Sequence, residues 1–149
     1  MIPLLNLFRE LAPLLAGRAR YSKIPIGGAE CMTTPSDRAR SRIRELSPGE
    51  LVKLRQLPLI VDVRAEEEFS SGHIKDATNV RRDTLEMIIS EIAPDRSRPI
   101  LVYCAVGNSG ALAADSLQRM GYLNVFSLKG GLASWLEAGG LLETRKTAK

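Results

Sequence analysis

At 149 residues the chain has room for one domain with one sizeable core, plus an extra segment. Two cysteines, Cys31 and Cys104, and a single histidine, His73, exclude a disulfide framework and a Cys/His zinc cluster, so no metal site is expected and a reducing compartment is the simpler setting. The net charge of +4 lies wholly in the head: residues 1–49 hold eight Lys/Arg against four acids, and residues 50–149 hold 13 of each.

A basic head could meet nucleic acid or an anionic membrane, but no aromatic interleaving supports it, and the reading is a solvated leader with no nucleic-acid partner. Within it, Leu4, Leu7, Phe8, Leu11, Leu14 and Leu15 recur at helical spacing until Pro13 interrupts. This amphipathic stretch is too short and too charged to span a membrane, and it lacks the plan of a secretory signal. With "GRARYS" behind it, the stretch looks like a mitochondrial transit peptide apart from Glu10. Met32, opening "MTTPSDRARSRIRELSPGEL", also reads as a natural start, which would make residues 1–31 an over-extended reading frame; an intact native mass beginning at Met1 would end that idea. Residues 1–45 are thus expected to be a poorly ordered basic leader, 46–141 the domain and 142–149 a polar tail. Cys31 has no assigned role.

The domain alternates strand and helix signals. "LSPGELVKL" opens a helix, with Ser47 as cap, Pro48 in the first turn and Glu50 completing a capping box. "LPLIVDV" (57–63) reads as a buried strand, "AEEEFSSG" as a helical turn ended by Gly72, and "DATNV" (76–80) as a short extended piece. "DTLEMIISEIA" (83–93) puts Leu85, Ile88, Ile89 and Ile92 on one helix face, and Pro94 ends it. "PILVY" (99–103) is a second strand, "GALAADSLQRM" a helix ended by Gly121, "NVFSL" (124–128) a third strand and "GGLASWLEAG" a closing helix, with Trp135 packing it on the sheet. Strands spaced by crossover helices mean a parallel α/β sheet, whose ligands bind beyond the carboxyl ends of the strands.

Cys104 lies at such an end. The six residues that follow, "AVGNSG", must curl tightly, and Gly107 and Gly110 permit it. A loop circling the sulfur would aim backbone N–H groups inward, and the next helix adds its positive end. Both effects favour thiolate over thiol and would stabilise a persulfide or an oxyanion. The alternative is a small buried core residue. Other cysteine schemes fit less well. A papain-like pair would need His73 as base, a thioredoxin-like site needs a second cysteine where Gly107 stands, and a Cys-x5-Arg phosphatase loop would need arginine at Gly110. Neither a dinucleotide nor a Walker pattern is present.

Three stretches carry a family resemblance: "LIVDVRAEEEFSSGHIKDATNV", "VYCAVGNSG" and "MGYLNVFSLKGGLASW". In order and spacing they resemble the rhodanese (thiosulfate sulfurtransferase) family in its single-domain form. The resemblance implies a five-stranded parallel sheet with helices on both faces. It implies that Cys104 takes sulfane sulfur from a donor, holds it as a persulfide and passes it to a thiol or cyanide. Ala105, Val106, Gly107, Asn108 and Ser109 would form the N–H cradle, and Asp62, Arg64, Glu68 and His73 would be mainly structural.

This chain departs from the family pattern in two places. Its loop contains no arginine or lysine, and Asp76 stands where glycine is usual. An uncharged loop favours a smaller or protein-bound donor, such as a cysteine-desulfurase or glutathione persulfide, over the thiosulfate dianion. Lys129 could lend a nearby charge, although a surface lysine is the default. The expected protein is a cytoplasmic sulfurtransferase, or mitochondrial if residues 1–31 act as a transit peptide, working as a monomer or weak dimer without metal or organic cofactor. The rival reading is a rhodanese-like binding or regulatory module with little turnover.

Overall fold

The computed structural model describes residues 33–144. The amphipathic stretch near the start, Cys31 and residues 145–149 lie outside the described residues. The elements run α1 (Pro35–Arg40), β1 (Arg44–Leu46), α2 (Pro48–Val52), β2 (Leu59–Asp62), α3 (Glu66–Ser71), β3 (Thr78–Asn79), α4 (Leu85–Ile92), β4 (Ile100–Tyr103), α5 (Asn108–Arg119), β5 (Val125–Leu128) and α6 (Gly131–Glu137). The five strands form one sheet in the order β1-β5-β4-β2-β3, with every pairing parallel.

Period-two alternation divides the core between the two sheet faces. Val61, Ile100, Val102 and Val125 meet α4 and α5 through Leu85, Ile89, Ala113, Ala114 and Leu117. Ile60, Leu101, Tyr103 and Leu128 meet α2 and α6 through Leu51, Leu132 and Trp135. The apolar runs expected as strands are buried because helices cover both of their faces. Capping also follows the sequence: Ser47 Oγ accepts from the Glu50 N–H at 3.2 Å, and the Glu50 carboxylate accepts from the Ser47 N–H at 2.7 Å.

The compact unit begins earlier than the expected boundary at 46: it runs from Thr34. Residues 34–45, read from sequence as leader, form α1 and all but the last residue of the edge strand β1. A second capping box starts α1, with Thr34 and Asp37 exchanging hydrogen bonds of 3.1 and 3.0 Å. Ala39 is fully buried where α1 packs on α5. Arg42 grips Asp115 of α5 bidentately, Nε to Oδ1 at 3.0 Å and Nη2 to Oδ2 at 2.8 Å, and Arg119 adds a third contact at 3.0 Å. β1 is only three residues long and carries Arg44 and Glu45, so it offers no apolar run to read.

Two smaller differences bear on the site. Helix α5 starts at Asn108, so Asn108 and Ser109 belong to its first turn rather than to the loop. The expected tail from 142 is tied down at its start, because His73 and Glu143 exchange backbone hydrogen bonds of 2.9 and 2.8 Å. Asp76, in place of the family glycine, adopts a φ of 63°, the left-handed region that asparagine and aspartate tolerate better than other side chains.

The Arg42 hydrogen bonds hold the Asp115 carboxyl below its ordinary range. Its stabilising contribution therefore exists above the unfolded-chain value and disappears as pH falls through the depressed one. Asp115→Asn is expected to cost about 1 kcal/mol at neutral pH. Urea midpoints of parent and variant should draw together as pH falls below the ordinary aspartate range.

Candidate active site

β4 is the central strand, and Cys104 follows it directly, 6% exposed. The chain then turns through Ala105 and Val106 to Gly107, whose φ of 103° places it in the left-handed region open to glycine. That turn brings the Gly107 N–H onto Cys104 Sγ at 3.0 Å. The outer side of the loop is pinned by α6. The Leu132 N–H donates to the Cys104 carbonyl at 2.8 Å, and the Ala133 N–H to the Ala105 carbonyl at 3.0 Å. In a trans peptide, N–H and C=O point opposite ways, so the Ala105 and Val106 N–H groups turn away from α6. The approach needs a glycine at 131: with φ of 63°, a Cβ there would lie 2.6 Å from the Cys104 carbonyl oxygen. The role of this glycine pair in holding the loop went unread in the sequence, because its partners lie some 26 residues upstream, though a doubled glycine at a helix start was a signal.

A cavity of about 370 Å³ opens over the sulfur, lined by Val63, Arg64, Ala65, Glu68, Cys104, Ala105, Val106, Asn108 and Ser109. The structure thus brings the expected loop residues other than Gly107 to one cavity wall with Arg64 and Glu68. Glu68 also secures its own helix by accepting from the Ala65 N–H at 3.2 Å. Val106 stands at the rim, 52% exposed.

Arg64 borders the cavity, but its guanidinium is committed elsewhere. It binds the fully buried Asp62 carboxylate through Nε at 3.1 Å and Nη2 at 2.7 Å, donates to the Gly72 carbonyl at 2.6 Å and lies 5.8 Å from the Tyr103 ring centre. Burial works against its charge, yet the Asp62 contacts outweigh that and keep its pKa above the ordinary value. The same surroundings, burial first and the neighbouring Asp62 second, push the Tyr103 hydroxyl up, and it stays neutral and accepts from the Ile74 N–H at 3.1 Å. Asn79 completes the lock by donating to the Asp62 and Arg64 carbonyls at 3.1 and 3.0 Å.

His73 does not line the cavity. Its Nδ1 meets the Phe69 carbonyl at 2.8 Å, and its ring stacks on Phe69 with centroids 3.8 Å apart. Lys129 lines a different hollow, with Ser47, Gly130 and Ser134. The described residues contain no His/Cys/Asp/Glu group that could hold a metal ion.

The fold is thus a parallel α/β domain with a cysteine at the carboxyl end of its central strand and one loop N–H on its sulfur. The Rhodanese-like domain matches residues 47–138, and the chain belongs to that family, the rhodanese or thiosulfate sulfurtransferase family. Thiosulfate sulfurtransferase GlpE of Shewanella oneidensis is 36% identical over 100 residues, covering 66% of this chain and 97% of that protein. GlpE of Coxiella burnetii is 37% identical over 94 residues, covering 63% and 85%. Among solved structures, a protein of unknown function from Rhodopseudomonas palustris, described as a possible tyrosine phosphatase, superposes with a TM-score of 0.68 at 29% identity, covering 78% of this chain and 100% of that one. The polysulfide-sulfur transferase homodimer of Wolinella succinogenes gives 0.63 at 27% identity, covering 75% and 86%.

Two outcomes follow from this geometry. Asp62→Ala strands a buried guanidinium and should cost about 3–5 kcal/mol in urea unfolding, whereas removing both charges with Asp62→Ala/Arg64→Met should cost less. Gly131→Ala forces the loop away from α6 and should slow alkylation of Cys104 by iodoacetamide roughly tenfold, with the far-ultraviolet circular dichroism unchanged.

Proposed function

We propose that the chain moves sulfane sulfur through a persulfide on Cys104. The thiolate attacks the terminal sulfur of a donor R–S–S⁻. The donor's S–S bond breaks and its thiolate leaves, and Cys104 carries the outer sulfur as Sγ–S⁻. An acceptor thiolate or cyanide then attacks that sulfur. It leaves with it as a persulfide or thiocyanate, and the electron pair returns to Cys104. Atoms and charge balance without an outside oxidant or reductant, and no metal or organic cofactor takes part.

One observation carries this reading: the Gly107 N–H already donates to Sγ at 3.0 Å, while the carbonyls of Cys104 and Ala105 are held on the far side by α6. A loop built this way meets negative sulfur with donors alone. Arg64 is spoken for by Asp62, and Glu68 places a carboxylate on the cavity wall. Both features favour a singly charged persulfide donor over the thiosulfate dianion. Ester-phosphate chemistry is disfavoured because Gly110 stands where a phosphate-clamping arginine would be needed. The exposed Val106 at the rim supports a second reading, a module that docks a partner protein there and turns over little. A reducing compartment such as the cytoplasm suits a free thiol, and no described helix is long and apolar enough to cross a membrane.

Intact-mass measurement after incubation with a sulfane-sulfur donor should show a gain of about 32 Da, one sulfur, that cyanide removes and Cys104→Ser abolishes. No gain from thiosulfate, glutathione persulfide or a protein persulfide, with the fold intact, would leave the docking reading in its place.

A further inference from the structure

The loop from Cys104 to Gly110 contains no cation, and the nearby guanidinium of Arg64 is bound to Asp62. Arg81 and Arg82, at the adjoining hollow, are paired with Asp83 at 3.1 Å and Glu86 at 2.8 Å. A different arginine reaches a residue of the cavity wall. Arg40, at the end of α1, donates from Nη2 to Asn108 Oδ1 at 2.5 Å. Arg40 precedes the family-matched residues 47–138, so the family pattern says nothing of it.

The chemistry of the two side chains fixes what this contact does. A guanidinium has only donors, so it can meet only the carbonyl end of an amide. The Asn108 NH2 is therefore the end left to face elsewhere, and Asn108 lines the Cys104 cavity. Without Arg40, the amide could turn either way and present its oxygen to an anion as readily as its donors. Asp37 faces Arg40 at 3.3 Å and offsets much of its long-range field, so the main effect passes through the amide. Arg40 is held in place by the burial of Ala39 and by the Arg42–Asp115 pair two residues on.

We propose that Arg40 is a positioning residue for the active site: it locks the Asn108 amide with its NH2 toward the cavity, giving the otherwise uncharged loop a side-chain donor for an anionic sulfur substrate. This rests on Cys104 being the reacting thiol, as proposed above.

The test compares alkylation of Cys104 by iodoacetate, an anion, with that by the neutral iodoacetamide, read on the Cys104 peptide by mass spectrometry. The ratio of the two rates reports anion orientation at the thiol and needs no sulfur transfer. Arg40→Gln should lower the ratio roughly three- to tenfold, the range of one net hydrogen bond to an anion. Arg40→Lys, which still donates to Oδ1, should restore at least half of the loss. Arg119→Gln, which removes a charge farther along α5, should leave it unchanged. Asn108→Ala should lower the ratio as well, and adding Arg40→Gln to Asn108→Ala should change nothing further, because the two act as one unit. Thermal midpoints of each variant check that α1 stays docked. An unchanged ratio in a folded Arg40→Gln protein, or a full further drop in the Asn108→Ala background, overturns the proposal. A ratio that behaves as expected in a protein that takes up no sulfur ends the sulfurtransferase reading and leaves the role of Arg40 standing.

Discussion

The site depends on two peptide hydrogen bonds that never touch the sulfur. By taking the carbonyls of Cys104 and Ala105, the first turn of α6 decides which way the loop's peptide dipoles point. Each carbonyl held outward turns the N–H of the same peptide away from α6. A cysteine that by composition is a small apolar residue thereby acquires a backbone donor on its sulfur, the Gly107 N–H. Side chains contribute shape and access, and the loop's own sequence can be as bland as Ala-Val-Gly.

The charged groups nearby follow a second constraint, that a buried ion must be paired. Asp62 and Arg64 answer each other at the end of β2; Gly72 and Asn79 add hydrogen bonds around the pair, and the Tyr103 ring lies 5.8 Å from the guanidinium. The outcome is a rigid corner that joins β2, β3 and β4 beneath the cavity without giving the cavity a free cation. At the periphery Arg40 of α1 meets the Asn108 amide, and α1 is fastened to α5 by Arg42 and Asp115.

Much of this was legible in the sequence, and the parts that were not share a cause. β2, β4 and β5 are apolar and β-branched because both faces are covered, and Ser47 with Glu50 writes a helix start in four letters. Cys104, Gly107 and the donor loop could be read from a strand ending in a thiol followed by small residues. Asp62, Arg64 and His73, expected as structural, each make close contacts away from the sulfur, and Arg64 and Glu68 also line the cavity. α1 and β1 were hidden because their residues are polar and they are held in place by partners far along the chain: Arg40 by Asn108, Arg42 by Asp115, β1 by β5. A run such as "SDRARSRIREL" has the composition of a solvated leader, and only tertiary pairing makes it structure. Gly131 was visible as a letter, but not as the residue that lets α6 approach the loop.

That approach has a consequence for how the protein comes to exist. The sheet can assemble its central pairs, β2 on β4 and β4 on β5, from segments that precede α6. The sulfur's surroundings cannot, because they wait for residues 130–133 to dock on residues 104 and 105. These contacts cannot form before α6 itself has docked. They also open first when a short terminal helix lifts away. A chain in which residues 130–133 are still undocked would carry the cysteine with its loop carbonyls unheld. The surroundings of the Cys104 sulfur are thereby completed only once α6 is in place.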